Sequence, residues 1–152
     1  MQHRKDCDFS FAGLKNAFRM AVEKLKTLRD LGPDEDLSTQ DKADLAASFQ
    51  HAAIKHLEQR MKRAIVNVKA DPVGGNIESL VVVGGVAANK AVRSALKIIC
   101  DSNDWDFYTP PLRLCTDNGV MAAWAGVEKL KCRTSDAAET QEVFARYPFA
   151  ST

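Results

Sequence analysis

The sequence predicts an α/β protein that is rich in helix and contains a small parallel sheet. Four consecutive apolar residues, 80–83, end at Gly84 and Gly85, a pattern typical of a buried strand that stops at a tight turn. An apolar helical pattern formed by Val92, Leu96 and Ile99 follows, and residues 106–108 indicate a second short strand. A strand–helix–strand unit of this length predicts two parallel strands joined by a right-handed crossover.

The first half of the chain, over residues 14–69, is predicted to be helical. One amphipathic helix is expected to end near Gly32 and Pro33, and its apolar positions are Leu14, Phe18, Val22, Leu25 and Leu28. Ser38, with Asp41 three residues later, approximates a capping box, so a long helix is predicted to begin there. The apolar positions of this long helix are Leu45, Phe49, Ala53, Leu57, Met61, Ile65 and Val68.

Two further segments complete the predicted organisation. Residues 8–11 alternate polar and apolar side chains, which predicts a short strand end. The βαβα section over residues 79–131 closes with a helix that opens near Asn118, and its apolar positions are Met121, Trp124, Val127 and Leu130. We expect residues 1–152 to form one domain, with a loose tail over about residues 132–152.

Composition excludes several classes of protein. A formal net charge of +1 provides no electrostatic case for nucleic-acid binding by itself. No apolar stretch approaches the length of a membrane span, so no membrane association is expected. The four cysteines form no CxxC pair and read as free thiols in a reducing compartment. The long helix also carries a basic cluster, for which a solvated face is the favoured role and contact with an RNA backbone is the alternative. The cluster consists of Lys55, Arg60, Lys62, Arg63 and Lys69.

The turn after the first strand is the first candidate site. Gly84 and Gly85 leave the backbone open to close approach by a ligand, because glycine has no Cβ. Asn89 lies where the next helix should begin, and helix-start amides favour negatively charged groups. Together these residues predict a nucleotide or phosphate pocket. The alternative is a structural βα turn whose glycines only relieve strain.

Asp117 marks the second candidate site, at the end of a loop and the beginning of a helix. The helix dipole there favours an ionised carboxylate, and an ionised carboxylate is a good ligand for a hard or borderline metal. The alternative, which spacing alone favours, is that Thr116 or Asp117 only caps the helix.

Three sequence blocks resemble the C-terminal part of the tRNA threonylcarbamoyladenosine-forming transferases, formerly labelled O-sialoglycoprotein endopeptidases. The blocks are Asp-Phe-Ser-Phe-Ala-Gly-Leu-Lys at residues 8–15, Gly-Gly-Val-Ala-Ala-Asn at residues 84–89 and Cys-Thr-Asp-Asn-Gly-Val-Met at residues 115–121. The third block is highly specific, whereas the glycine turn occurs across the actin–hexokinase–heat-shock ATPase superfamily. The resemblance covers the chain up to about Lys131 and is closer to the bacterial and mitochondrial branch than to the archaeal and cytosolic one.

The resemblance implies a fold and an activity. It implies part of the C-terminal lobe of the two-lobed actin-like ATPase fold. The implied enzyme transfers a threonylcarbamoyl group from threonylcarbamoyl-adenylate to the adenosine beside the anticodon, in tRNAs that read codons beginning with A. Its partners would therefore be tRNA and the adenylate, with a homodimer as one option for assembly. The bacterial and mitochondrial branch, together with the free cysteines, predicts a mitochondrial matrix location.

The resemblance also implies roles for individual residues. The glycine turn would bind the nucleotide, with Ala88 and Asn89 contacting the adenylate. Asp117 would be a ligand of one divalent metal ion, either iron, zinc or magnesium, with Thr116 beside it in the site. No residue of the chain is assigned as catalytic.

The chain departs from the family pattern in two places. The family's HxxxH pair of metal ligands and its Ser-Gly-Gly-His adenylate-binding segment are both absent from this sequence. We therefore expect a single partial domain that lacks the N-terminal lobe and is inactive alone. Ala12 and Ala88 stand where many relatives have serine, which is a small change. The alternatives are a non-catalytic interaction module derived from the family and a sugar or acyl kinase of the same superfamily.

Overall fold

The structure, a computed structural model, describes residues 6–72, 77–134, 137 and 139. In these ranges the helices are α1 (Ala12–Leu28), α2 (Thr39–Ala70), α3 (Lys90–Asp101) and α4 (Gly119–Lys131), and the strands are β1 (Ser79–Val81) and β2 (Asp106–Tyr108). Two short 3₁₀ helices cover Gly85–Ala88 and Leu112–Leu114. None of the helices within the described ranges combines the length and the apolar content needed to cross a bilayer. The chain divides into two compact units, Met1–Cys115 and Thr116–Thr152.

Helices α1 and α2 form an antiparallel hairpin in the first unit. Phe18 and Phe49 meet edge to face with ring centroids 5.1 Å apart, and near the connection Arg29 forms a 2.8 Å ion pair with Asp41. The Ser38 hydroxyl accepts a hydrogen bond from the Asp41 backbone N–H and donates one to its carboxylate. The capping interaction that the sequence indicated is therefore confirmed. The bonds that Arg29 and the Ser38 hydroxyl donate to the Asp41 carboxylate favour its ionised form, and the bond from Arg29 is the main reason that the pKa of Asp41 lies below its ordinary value.

Helix α1 ends earlier than Gly32 and Pro33, which corrects the expected boundary. Asp30 adopts a left-handed conformation (φ 54°), and the N–H groups of Asp30 and Leu31 donate to the carbonyls of Thr27 and Lys26. This pair of bonds is the Schellman arrangement, in which glycine is the usual left-handed residue. Asparagine and aspartate tolerate the conformation, so the helix stops without a glycine at that position.

Residues 8–11 do not form the short strand end that their alternation predicted. The Phe9 and Phe11 rings instead lie edge-on to His56 of α2, at centroid distances of 6.0 and 5.2 Å. The Ser10 N–H donates to His56 Nε2 over 3.4 Å. Alternation places both phenylalanines on one side of the segment, and here that side packs on a helix rather than within a sheet.

The predicted parallel pair is confirmed, but β1 is shorter and more exposed than expected. Leu80 pairs with Phe107 in a parallel register, and the Val82 N–H extends the ladder to the Tyr108 carbonyl over 2.9 Å. Val81 is nonetheless 62% exposed. A parallel strand is buried only when both of its faces are covered, whereas in β1 the face of Leu80 packs against the core and the face of Ser79 and Val81 is exposed.

The core of the first unit lies where α3 packs between α2 and the sheet. Its buried members are Ile65, Val92, Leu96, Ile99, Cys100 and Trp105. Three of these are the α3 positions that the helical pattern placed on its apolar face, so that prediction is confirmed. Burial raises the pKa of the Cys100 thiol, which keeps this cysteine protonated and unreactive.

The basic cluster of α2 is not a uniform solvated face. Arg60 is only 3% exposed, and both Arg60 and Arg63 donate to the Asp6 carbonyl, over 2.8 and 2.7 Å. Arg60 follows Leu57 by three residues and precedes Ala64 by four, so it lies on the core-facing stripe of the helix. For Arg60 the prediction of a solvated position is therefore wrong.

The prediction of a loose tail over residues 132–152 falls largely outside the described residues, which include only residues 132–134, 137 and 139 of that segment. The single-domain prediction likewise remains a prediction.

Candidate functional site

The glycine turn follows β1 and leads directly into α3. Gly84 has φ 84°, a conformation that side chains of L-residues rarely adopt, so its backbone requires glycine. Gly85 opens the 3₁₀ helix without a positive φ, and a Cβ built on it would meet nothing within 4 Å. Strain relief therefore explains Gly84, whereas neither conformation nor packing in the described chain requires glycine at 85. The backbone at Gly85 is open to close approach from outside.

Asn89 joins the glycine turn to two helices. Its side-chain oxygen accepts from the N–H groups of Ala91 and Val92, at 2.9 and 3.2 Å, and so caps α3. Its amide nitrogen donates to Gln50 Oε1 of α2 over 2.9 Å. The predicted helix start is confirmed, and one amide hydrogen of Asn89 is left for a further partner. The contact of Ala88 and Asn89 with an adenylate stays a prediction.

A cavity of about 720 Å³ adjoins the turn inside the first unit. Phe9, Phe11 and Phe49 line one part of it, and Val86 and Asn89 of the turn line another. Its walls are mainly apolar, with few polar atoms available to orient a ligand. This volume lies in the range of ordinary small-molecule pockets.

Arg93 is a residue of this region that sequence reasoning missed. Its guanidinium donates to the Ala87 carbonyl through Nε, and to the Pro110 carbonyl and Cys115 Sγ through Nη2, at 2.8 and 3.1 Å. The available signal was its position one helical turn after Asn89, since a side chain there points back toward the helix start.

The second candidate site begins α4, in the second unit. Asn118, and neither Thr116 nor Asp117, caps this helix: its side-chain oxygen accepts from the Met121 N–H over 3.1 Å. Asn118 also donates to the Thr116 carbonyl over 2.8 Å, which orders the turn before the helix. The alternative of capping by Thr116 or Asp117 is therefore wrong. All three side chains have the chemistry of a cap, and the extended backbone of Asn118 (φ −153°, ψ 157°) decides between them.

Asp117 presents an exposed carboxylate at this turn. Across the described ranges, no hydrogen bond or ion pair joins it to another residue. The same ranges contain no group of three histidine, cysteine, aspartate or glutamate side chains that could hold a metal ion. The residues present thus supply one suitable oxygen ligand but do not fit a complete metal site.

The strand, glycine turn, capped helix and parallel strand define a helix-rich α/β protein. The family model described as TsaD, tRNA N6-adenosine threonylcarbamoyltransferase, matches residues 1–124, which include all three sequence blocks. The chain therefore belongs to the tRNA N6-adenosine threonylcarbamoyltransferase family, and the resemblance drawn from those blocks is confirmed.

Named relatives agree with the family match. A tRNA N6-adenosine threonylcarbamoyltransferase of Rhizobium etli is 48% identical over 124 residues, which are 81% of this chain and 32% of the relative. The mitochondrial enzyme of that name from Xenopus tropicalis is 42% identical over 132 residues, 86% of this chain and 32% of the relative. A relative from Paramagnetospirillum magneticum is 42% identical over 136 residues, 90% of this chain and 36% of the relative. The chain thus spans about a third of the length of these relatives.

Proposed function

We propose that this chain acts as the C-terminal part of an enzyme that transfers a threonylcarbamoyl group from threonylcarbamoyl-adenylate to an adenosine of tRNA. The acceptor in this proposal is the exocyclic amine of the adenosine beside the anticodon, in tRNAs that read codons beginning with A. The observation that carries the proposal is the family match over residues 1–124, together with relatives that bear the transferase name. The same match supports a two-lobed actin-like fold for the complete enzyme.

The glycine turn is the proposed nucleotide contact. In this proposal Gly84 and Gly85 let the adenylate approach the backbone, while Ala88 and Asn89 contact it directly. The open space at Gly85 and the one uncommitted amide hydrogen of Asn89 support this assignment. These residues bind and orient the adenylate, so that its reacting carbonyl is held for attack by the tRNA amine.

Asp117 is the proposed metal ligand of the chain, with Thr116 beside it. An exposed carboxylate that is bonded to no other described residue is available for a cation. One carboxylate does not hold a metal tightly, so in this proposal the other ligands come from outside the described residues. The isolated chain is therefore expected to be inactive.

A chimeric enzyme tests the proposal. The C-terminal third of the Rhizobium etli relative is replaced by this chain, and threonylcarbamoyladenosine in tRNA is measured by mass spectrometry in cells that lack their own enzyme. We expect modification by the chimera and none by the 152-residue chain alone. A folded chimera that leaves tRNA unmodified would show that the proposed activity is wrong.

Asp117→Ala and Asp117→Asn in the chimera test whether Asp117 is a metal ligand. Both variants are expected to lose bound metal and modification while keeping the melting temperature, since Asn118 rather than Asp117 caps α4. Asp44→Asn, which changes an exposed carboxylate on α2, is the control. Normal metal content in Asp117→Ala would contradict the ligand assignment without affecting the family membership.

A mitochondrial location is proposed because the relative from Xenopus tropicalis is a mitochondrial enzyme. The other two relatives named above are bacterial and do not bear on this location. Fluorescence microscopy of a tagged full-length protein tests it, and a signal outside mitochondria would contradict it.

A non-catalytic interaction module is the second candidate. It is favoured by the lack of a metal-binding group among the described residues. Such a module would bind the N-terminal two thirds of the Rhizobium etli relative, added as a separate polypeptide, without restoring tRNA modification.

A further inference from the structure

One guanidinium of the first unit joins the glycine turn to the loop over residues 110–115. Arg93 contacts the 3₁₀ turn at Ala87, the loop after β2 at Pro110, and the thiol of Cys115. Ala87 is fully buried and Cys115 is only 2% exposed. The guanidinium therefore connects the glycine turn to the residue that opens the third sequence block.

The chemistry of these contacts requires an arginine. The Ala87 carbonyl is not used by the backbone bonds of the 3₁₀ turn, which run from the Ala87 N–H to Gly84 and from the Asn89 N–H to Val86. A buried carbonyl without a donor is costly, and Arg93 supplies that donor. The two carbonyls are reached from different atoms, Nε and Nη2, of one rigid planar group, whereas lysine carries all three of its donors on a single nitrogen.

The charge of Arg93 has no carboxylate partner among the described residues. Its neighbour on the same helix, Lys97, pairs instead with Asp101 at 2.7 Å. Arginine that serves a surface ion pair would be expected to face an acidic group, whereas Arg93 faces two carbonyls and a thiol. Its contacts are thus those of a clamp between backbone segments.

We propose that Arg93 is a positioning residue, which holds the glycine turn against the 110–115 loop so that the turn presents its open backbone to the nucleotide in a fixed geometry. This inference rests on the proposed function for its nucleotide, although the clamp itself is a property of the fold. Preorganisation of a binding turn raises affinity, because less order has to be gained when the ligand binds.

Site-resolved alkylation of the 152-residue chain tests the clamp. Iodoacetamide labelling followed by peptide mass spectrometry measures the rates at Cys115, Cys100 and Cys132 in one sample. In Arg93→Met we expect Cys115 to react at least about tenfold faster through local opening, while buried Cys100 and exposed Cys132 keep their rates. Lys97→Met removes a cation from the same helix and should change none of the three.

Two outcomes would overturn the clamp. An unchanged rate at Cys115 in Arg93→Met would show that the contacts do not hold the loop. Equal acceleration at Cys115 and Cys100 would show that Arg93 supports the whole unit rather than the turn. Arg93→Lys keeps the positive charge but lacks the planar guanidinium, so Cys115 should still be alkylated faster than in wild type. A wild-type rate in Arg93→Lys would show that the charge of Arg93, and not the geometry of its guanidinium, protects Cys115.

Calorimetric titration of the chimera with AMP tests the link to the nucleotide. The chimera with the wild-type chain should bind AMP, its Arg93→Met variant should bind AMP about tenfold more weakly, and its Lys97→Met variant should match wild type. Equal AMP affinity in wild type and Arg93→Met would overturn the positioning role. If wild type itself does not bind AMP, the nucleotide contact of the proposed function fails, and alkylation alone decides whether the clamp exists.

Discussion

The helical hairpin α1–α2 and the βαβ unit β1–α3–β2 lie in the same compact unit but are stabilised differently. Helix α3 buries Val92, Leu96, Ile99 and Cys100 within twelve residues. Helix α1 has seventeen residues and, within the described chain, buries none of them. The long helix α2 contributes Ile65 as its buried apolar residue. Apolar periodicity is strong in both regions, so the difference arises from what each helix packs against.

The βαβ unit is the part of the chain that can hold a site rigidly. The glycine turn lies within this unit, between β1 and α3, and the core and the Asn89 cap fix the two ends of the turn. The hairpin depends on ring contacts and the Ser38–Asp41–Arg29 bonds near its connection. The free energy of unfolding of the hairpin should therefore respond to pH, while that of the βαβ unit should respond to side-chain volume and to loss of the Asn89 cap.

The largest expected effect is a difference between two leucine truncations. Leu96→Ala removes a core side chain and should cost about 3 kcal/mol, whereas Leu25→Ala on half-buried α1 should cost about 1 kcal/mol. Urea unfolding followed by circular dichroism measures both values. Equal costs would show that the hairpin is packed as tightly as the βαβ unit.

Removing a helix cap should also cost more unfolding free energy in the βαβ unit than in the hairpin, although the difference should be smaller than for the leucine truncations. Asn89→Ala loses two capping bonds and the bond to Gln50, and should cost about 2 kcal/mol. Ser38→Ala should cost about 1 kcal/mol. The measurement is again urea unfolding at neutral pH, with Ser94→Ala on exposed α3 surface as the control. A larger loss for Ser38→Ala would reverse the comparison.

Acid should weaken the hairpin before it weakens the core. Because the pKa of Asp41 is lowered in the folded state, its contribution is complete above the unfolded value of about 3.9 and is lost as pH falls through the lowered value. Unfolding free energies measured between about pH 2 and 7 should therefore fall less steeply in Asp41→Asn. Asp36→Asn changes an exposed pair with Lys42 and should alter the slope less. Identical slopes for Asp41→Asn and wild type would contradict this.

The smallest expected effect is a gain. Asp30→Gly relieves a left-handed aspartate at the end of α1 and should stabilise the chain by about 0.5 kcal/mol. Asp34→Gly, in the following turn without a positive φ, should not stabilise it. Thermal melts of the two variants provide the check, and a loss in Asp30→Gly would argue that the Asp30 side chain contributes to the turn.

Features set by local sequence were predictable. Four features each depend on a few neighbouring residues, and each is confirmed: the cap at Ser38, the helix start at Asn89, the apolar face of α3 and strand β2. The tight turn at Gly84 was predictable from residue type, because its backbone adopts a conformation that glycine favours.

Features set by distant partners were not predictable. The alternation at residues 8–11 has the right period for a strand, but His56 of α2 takes the place of a neighbouring strand. Arg60 looks like a surface residue by type, yet its position on the core stripe and the Asp6 carbonyl bury it. Arg93 could be recognised only after the fold brought Pro110 and Cys115 to it. The family, by contrast, was recognisable from three short sequence blocks, because a match of residue types can be seen without knowing what those residues contact.

The two tryptophans of the chain provide an optical label for each unit. Trp105 belongs to the first unit and is 7% exposed, whereas Trp124 belongs to the second and is 60% exposed. A buried indole emits at shorter wavelength and is shielded from iodide, while an exposed indole emits at longer wavelength and is quenched. Iodide quenching therefore separates the two signals without any mutation, and the unquenched blue emission follows the unit that carries the glycine turn.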